Sequence, residues 1–243
     1  MTAARRFLAL SSVLVAAAFT LSGCRIEIPA ELIPPPAAAP APGSPTRANL
    51  EQLIHTVSVV PARNRLPGYS RGCKQGQACV FGPAWSDDND ARLGHDGCDT
   101  RNNVLAAQLT SVAYRNGSRP CVVVSGSLAD PYSGKTVAFS KRDGGEIQID
   151  HVYPLAAAWD MGADVWPLEE RMRFANDVDF NLLAVNGSAN QSKGDDTPSD
   201  WLPPAAAYRC FYAGKYLSVA AQYRLPITIA DQDALLQVAA TCS

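Results

Sequence analysis

The sequence predicts an α+β fold in a single domain. Apolar residues recur at helical spacing near the start of the predicted domain and again towards its end, which indicates amphipathic helices. Between them lie short runs rich in valine, isoleucine and phenylalanine, which are typical of strands. The two kinds of element are mixed without a regular strand–helix–strand alternation, and this favours an α+β class over a parallel α/β sheet.

The first residues predict an export signal. A basic stretch, MTAARR, precedes the apolar run FLALSSVLVAAAFTL, which is short for a membrane-spanning helix. The run ends in LSGC, which resembles the lipobox of bacterial lipoproteins, so residues 1–23 are predicted to be a signal peptide and Cys24 the lipidated first residue. The exported protein would be held by this lipid at the outer face of the cytoplasmic membrane or in the cell envelope, or be released. An ordinary signal peptide and a retained N-terminal helix are the alternatives.

The next segment is predicted to be a tether. Residues 24–47 combine the lipidated cysteine with a stretch rich in proline and alanine that lacks periodicity. The folded domain is predicted over residues 48–243, where ANLEQLIHTVSVV forms the first helical face and no second linker follows. The formal net charge of the chain is −2. An acidic balance counts against high-affinity nucleic-acid binding, because phosphate contacts supply most of the non-specific affinity. It does not exclude an enzyme that cuts nucleic acid.

The cysteines predict disulfide bonds. Six of them follow Cys24, and an even number in an exported chain is typical of a disulfide framework. The sequence leaves the connectivity open, and we predict pairing in sequential order. The predicted bonds are Cys73–Cys79, Cys98–Cys121 and Cys210–Cys242. A zinc site is the alternative, but the chain has no CxxC motif and no histidine at zinc-ligand spacing.

The remaining elements follow from periodicity. TRNNVLAAQLTSVAYRNG is predicted as one helix, capped by Asp99 or Thr100 and ended by Asn116–Gly117. CVVVSGSL and KTVAFS are strands on either side of a DPYSG turn, and IQIDHV is a third strand. LEERMRFAND is a helix and FNLLAV a strand. Two further helices, PAAAYRCFYAGKYLSVAAQYRL and DQDALLQVAATC, complete the domain.

Three polar residues occupy strand positions. Asp150 and His151 end the strand IQIDHV, and Asn181 interrupts the apolar strand FNLLAV. Each also has a structural interpretation when taken alone. The Asp-His pair fits a solvated strand end, and the asparagine fits a capping or bulge residue.

A helix start follows these strands. Asn186–Gly187 is predicted as a tight turn. Ser188 as N-cap and Gln191 at the third helical position would then form a capping box. This places Asn190 in the first helical turn, with Lys193 one turn later. Taken alone, Asn190 fits a helix-start residue with no further role.

Together these motifs resemble the ββα-metal core, or His-Me finger, of HNH endonucleases. The wider layout, with GCDTRNNVLAAQL, DPYSG, IDHVYPLAAAWDMGA and NLLAVNGSANQSKGDDTPSDWLPP in order, is similar to exported bacterial HNH-family nucleases related to the GmrSD C-terminal domain. The resemblance runs from about Gly97 to the end, with the ββα core at about 146–201. Two departures are an asparagine at position 190, where many members have histidine, and a long separation between His151 and Asn181 that implies an insertion.

The resemblance implies a metal-dependent endonuclease, a hydrolase of phosphodiester bonds. It places His151 and Asn181 in the catalytic centre, where His151 takes a proton from water. Asn181 would hold the hairpin loop and His151 in place. Asp150 and Asn190 would bind a divalent ion, with Mg²⁺ preferred and Mn²⁺, Ca²⁺ and Zn²⁺ as alternatives.

Substrate contacts are assigned to basic residues. Lys193 would contact a backbone phosphate, and Arg101 and Arg173 are further candidates. The chain has no recognition helix or zinc finger, so we predict a non-specific nuclease of DNA, with RNA as an alternative substrate. One rival is a non-catalytic cell-envelope lipoprotein that uses the same scaffold as a binding module. Another is an enzyme that acts on a different phosphate ester. The sequence implies no protein partner.

Overall fold

The first helix, α1 (Arg47–Thr56), begins at the predicted start of the domain. Leu50 and Ile54 are buried on its predicted apolar face. The chain before this helix also packs on the domain, because Ala41 is buried and its N–H donates to the Ala207 carbonyl (2.7 Å). The folded domain therefore includes residues of the segment 24–47, which was predicted to be a tether.

The computed structural model describes residues 39–117, 120–142 and 145–243. The predicted signal peptide, Cys24 and the tether up to residue 38 lie outside the described residues. Within the described ranges, no helix has the length and apolar character needed to cross a membrane.

Helices and strands are mixed in one domain, which confirms the mixed class predicted from the sequence. In the described ranges the further helices are α2 (Thr100–Gln108), α3 (Leu155–Asp160), α4 (Leu168–Ala175), α5 (Gly187–Lys193), α6 (Arg209–Tyr223) and α7 (Ile229–Ala239). The strands are β1 (Val59–Val60), β2 (Thr110–Tyr114), β3 (Val123–Ala129), β4 (Thr136–Ser140), β5 (Ile147–His151), β6 (Leu182–Asn186) and β7 (Ile227–Thr228). Strands β1 and β7 pair in parallel, whereas β2–β3–β4 and β5–β6 are antiparallel.

The helix predicted from residue 100 to residue 117 is wrong in its second half. Asp99 caps α2, but the helix ends at Gln108 and strand β2 follows. The β2 sequence TSVAY contains β-branched and aromatic residues, and the strand pairs with β3. Cross-strand pairing therefore overrides the helical pattern of the apolar residues.

The start of helix α5 also differs from the prediction. The chain does not form a separate turn at Asn186–Gly187, because α5 follows β6 directly. The Asn186 side chain is the N-cap and accepts a hydrogen bond from the Ala189 N–H (3.0 Å). The Ser188 hydroxyl donates to that same side chain (2.6 Å) and is not the cap. Asn190 therefore lies at the start of the second helical turn.

The antiparallel pair β5–β6 lies between two hydrophobic cores. Leu183 and Val185 face a core that is formed mainly by α1, α3, α4, α6 and α7. Leu182 and Ala184 face a second core, which contains residues of α2, β3 and β4. Because both faces of this strand pair are packed, its position is fixed by burial on each side. The two polar residues that end β5 therefore stand on a rigid support.

Three disulfides connect the described cysteines in the sequential order that was predicted. They are Cys73–Cys79, Cys98–Cys121 and Cys210–Cys242. The first closes a short loop, and the second joins the chain before α2 to the chain before β3. The third joins α6 to the chain that follows α7. The predicted pairing is confirmed.

Candidate active site

A cavity of about 290 Å³ lies at the C-terminal end of strand β5. Helix α5 contacts both β5 and β6, so polar residues of β5 and α5 meet there. The polar lining residues used below are Tyr69, Arg71, Gln148, Asp150, His151, Asn190 and Asp195. The cavity thus unites the predicted base with both predicted metal ligands.

His151 is held in one orientation on two sides. Its Nε2 lies 2.9 Å from the Ala175 carbonyl oxygen, and its ring stacks on Trp85 with a centroid distance of 5.6 Å and an interplanar angle of 10°. A nitrogen that faces a carbonyl must carry the proton, which leaves Nδ1 as the acceptor. Burial lowers the pKa of His151 from 6.5 to about 4, and the nearby Arg71 guanidinium also lowers it. The imidazole is therefore neutral at pH 7.

The Asp150 carboxylate is buried between two donors. Asp150 is 5% exposed, and the Tyr132 hydroxyl donates to its Oδ2. Burial and the adjacent carboxylate raise the pKa of Tyr132 well above its ordinary value, so this hydroxyl keeps its proton. The other oxygen, Oδ1, accepts a hydrogen bond from the Lys193 ammonium (3.0 Å). These two contacts fix the orientation of the carboxylate.

The position of Lys193 contradicts the predicted phosphate contact. Its side chain is fully buried, and its ammonium also donates to the His151 carbonyl oxygen (2.9 Å). An ammonium enclosed in this way does not reach a substrate phosphate. Lys193 instead neutralises Asp150 and ties helix α5 to the end of β5.

Asn190 faces the cavity from helix α5. Its Nδ2 donates to the Gln148 Oε1 (2.9 Å), which sets the orientation of the amide. Gln148 lies two residues before Asp150 on β5, so both side chains project from the same face of the strand. The side-chain oxygen of Asn190, Oδ1, accepts no hydrogen bond from the part of the chain that the structure describes.

Asn181 lies beneath the site and not in the cavity wall. It is completely buried, its Oδ1 accepts a hydrogen bond from the Tyr153 N–H (2.9 Å), and its Nδ2 donates to the Phe174 carbonyl (3.4 Å). The Asn181 carbonyl also accepts from the Val152 N–H (2.8 Å). These bonds hold the two residues that follow His151, as expected for a positioning role.

The oxygen donors suit a Mg²⁺-type ion. Among the described residues, no three or more His, Cys, Asp or Glu side chains are grouped so that they could hold a metal. Asp150 and Asn190 would supply one carboxylate and one amide oxygen, and Mg²⁺ commonly takes few protein ligands and keeps several waters. A carboxylate oxygen has a second lone pair beyond the one that Lys193 or Tyr132 uses. The residues therefore fit a weakly held ion.

The family model for the GmrSD restriction endonucleases, C-terminal domain, matches residues 99–238, more than half of the chain. The chain belongs to this family.

The chain also has a relative of similar length. A protein of Arthroderma benhamiae, described as an uncharacterized secreted protein, is 34% identical over 209 residues. The match covers 85% of this chain and 92% of that protein. No solved structure matches the chain. The family domain contains Asp150, His151 and Asn190, whereas the chain before residue 99 contributes further cavity residues from outside it.

The two further phosphate candidates lie in the family domain but away from this cavity. Arg101 donates to the Ile147 carbonyl (3.3 Å) at the opposite end of β5 and lines a separate cavity with Lys141. Arg173 lies over the Tyr223 ring, with its guanidinium carbon 5.5 Å from the centroid. Neither arginine lines the cavity that holds His151.

Sequence reasoning missed several residues of the site. Gln148 could have been found from the sequence, because its spacing from Asp150 places both side chains on one face of the strand. Tyr132 belongs to the DPYSG stretch, which the sequence predicts only as a turn. Arg71 and Trp85 come from a segment without a regular element before α2, and no sequence pattern connected them to the site.

Proposed function

We propose that the protein is a metal-dependent endonuclease that hydrolyses phosphodiester bonds of DNA, with RNA as an alternative substrate. The observation that carries this proposal is the meeting of His151, Asp150 and Asn190 in one cavity. They stand on an antiparallel strand pair and on the helix that directly follows its second strand, which is the arrangement expected of a ββα-metal core. Membership of the GmrSD C-terminal domain family supports a nuclease function.

His151 would act as the general base. With Nε2–H donated to Ala175, Nδ1 can take a proton from a water molecule in the cavity while the water oxygen attacks the phosphorus. The bond from phosphorus to the leaving 3′ oxygen then breaks. A pKa of about 4 keeps the imidazole unprotonated at neutral pH, so it is ready to accept the proton.

The other residues of the site would bind the metal ion or hold its ligands in position. Asp150 and Asn190 would hold a divalent ion, which when bound neutralises charge on the phosphoryl oxygens and on the leaving oxygen. Tyr132 and Lys193 orient the Asp150 carboxylate, and Gln148 orients the Asn190 amide. Ordered partners of this kind reduce the reorganisation that the reaction requires.

We also propose that the protein is exported and anchored through a lipid on Cys24. The LSGC sequence after a short apolar run, three disulfides and a relative described as secreted support export. Mass spectrometry of the native N-terminus should find acylated Cys24 as the first residue. A mature N-terminus at another residue without lipid would contradict the anchor and leave export intact.

The nuclease proposal is tested with the purified, disulfide-intact protein. Incubation with plasmid DNA and Mg²⁺ or Mn²⁺ should produce nicked and linear products, and a chelator should stop the reaction. RNA and small phosphodiesters in parallel reactions identify the preferred substrate. Retention of DNA without cleavage under any of these ions would favour the binding-module alternative.

A further inference from the structure

The wall of the cavity includes a loop from outside the family domain. Tyr69 and Arg71 line the cavity beside His151, although the family match begins at residue 99. Trp85, from the same part of the chain, stacks on the His151 ring. The segment before α2 therefore contributes to the same site as β5 and α5.

Arg71 is held at the base of a closed loop. The Cys73–Cys79 disulfide joins the two sides, and the Cys79 N–H donates to the Gly72 carbonyl (3.0 Å). The Phe81 side chain is fully buried and anchors the end of the loop in the core. The Arg71 Nη1 donates to the Gly82 carbonyl (2.9 Å), which directs the guanidinium across the loop. The arginine is thus positioned before any ligand binds.

The charges that line the cavity do not balance. Asp150 is paired with Lys193 (3.0 Å). Asp195 is paired with Arg63 (2.8 Å) and also with Arg65. Both lining carboxylates therefore have their own cations.

Arg71 has no such partner. In the described ranges no carboxylate lies within 4.0 Å of its guanidinium. The side chain is nevertheless half-buried, and this burial lowers the pKa of Arg71 from its ordinary value. A partly desolvated cation without a counter-ion favours an anion in its vicinity.

We propose that Arg71 binds a phosphate of the substrate inside the cavity, next to the bond that His151 would hydrolyse. The inference rests on the proposed function and assigns to Arg71 the role that the sequence had given to Lys193. A guanidinium has planar donors that match two phosphate oxygens, and its Nη1 bond to Gly82 leaves other N–H groups for them. The substrate class is then one with a phosphate flanking the scissile bond, as in a polynucleotide.

Two variants of Arg71 and one matched control test this assignment in the full mature protein. Arg71→Gln removes the charge, whereas Arg71→Lys keeps it and loses the planar donors. Lys74→Gln removes one positive charge from the adjacent disulfide loop, at an exposed side chain that does not line the cavity. Thermal unfolding of each protein establishes that the fold is retained.

The first measurement is calorimetric binding of thymidine 3′,5′-bisphosphate without a metal. This probe carries two phosphates but no diester to cleave. Arg71→Gln should weaken its binding about tenfold or more, Arg71→Lys should weaken it less, and Lys74→Gln should leave it unchanged. Equal binding by the parent and Arg71→Gln would overturn the inference. A loss in Lys74→Gln as large as that in Arg71→Gln would also overturn it.

The second measurement is cleavage of a single-stranded DNA oligonucleotide across a range of salt concentrations. Arg71→Gln should raise KM more than it lowers kcat. Affinity should also depend less on salt, with the magnitude of the slope of log affinity against log salt reduced by about 0.7. A parent protein that cuts no nucleic acid would defeat the proposed function alone. Arg71-dependent binding of the bisphosphate would still establish the anion site.

Discussion

The Lys193 ammonium lies 3.0 Å from Asp150 Oδ1 and 2.9 Å from the carbonyl oxygen of His151. The Lys193 side chain is 0% exposed and that of Asp150 is 6% exposed, so the ion pair is almost entirely removed from water. One residue of helix α5 therefore contacts both of the polar residues that end β5. Its role is to hold the strand end and the helix together in the geometry that the cavity requires.

Removal of this cation should destabilise the fold. Lys193→Met leaves the Asp150 carboxylate buried without its counter-ion, which costs about 3–5 kcal/mol in the free energy of unfolding. The double variant Lys193→Met/Asp150→Asn removes both charges and should recover part of that loss. Urea unfolding measures both, with Lys135→Met as an exposed control that should change little. Equal midpoints for Lys193→Met and the parent would show that the pair contributes nothing to stability.

Loss of the proposed base should separate chemistry from metal binding. His151→Ala removes the proton acceptor but keeps both oxygen ligands, so cleavage should fall by about 10²–10⁴-fold. Mn²⁺ binding measured by calorimetry should be retained. His95→Ala is the matched control, because this histidine is exposed and lies outside the cavity. Cleavage by His151→Ala at the parent rate would remove His151 from the mechanism.

The side-chain oxygen of Asn190 should determine the metal concentration that cleavage requires. Asn190→Ala removes one proposed ligand, so half-maximal cleavage should require more metal and added metal should restore part of the rate. Gln148→Ala removes only the hydrogen-bond partner of the Asn190 amide. It should raise the metal concentration for half-maximal cleavage about tenfold. Asn190→Asp should remain active with a changed order of metal preference. Ser192→Ala, at an exposed helical position, serves as the control. An unchanged metal requirement in Asn190→Ala would rule out this ligand.

Asn181 should act through the hydrogen bonds of its buried side-chain amide. Asn181→Ala leaves the buried Tyr153 N–H without a partner, which costs about 1–3 kcal/mol. It should also lower kcat, because the loop after His151 loses its support. Asn181→Asp keeps the acceptor oxygen but places a second oxygen against the Phe174 carbonyl in a fully buried position, so it should recover stability only at acidic pH, where the carboxyl is protonated and can donate. If the two variants are equally destabilised in urea unfolding at acidic pH, the bond to the Tyr153 N–H is not the reason for the loss.

The disulfides should differ in their effect on stability. Cys210–Cys242 spans 32 residues and Cys73–Cys79 spans 6. Because cross-linking a longer loop removes more entropy from the unfolded chain, the Cys210→Ala/Cys242→Ala variant should lose about 2–5 kcal/mol and the Cys73→Ala/Cys79→Ala variant less. Chemical unfolding of both compares them. A larger loss for the short loop would contradict the entropic explanation.

Local patterns in the sequence were sufficient for much of this protein. The residue types of IQIDHV predicted the strand that ends in Asp150 and His151, because β-branched residues suit the pleated surface of a sheet. The even number of cysteines after Cys24 predicted disulfides, although the sequence left their connectivity open. The resemblance of the ordered motifs to the ββα-metal core of HNH nucleases implied that His151, Asp150 and Asn190 lie together.

Tertiary contacts decided what those patterns could not contain. A lysine near the end of a polar helix is normally solvated, and only the packing of α5 on β5 shows that Lys193 is buried against Asp150. The strand β2 replaced half of a predicted helix because its partner, β3, is supplied by a later segment. Arg71 and Trp85 reach the His151 cavity from the segment before α2, far away in the chain. In each case the burial and the partner of a side chain depend on residues distant in sequence, and local periodicity carries no information about them.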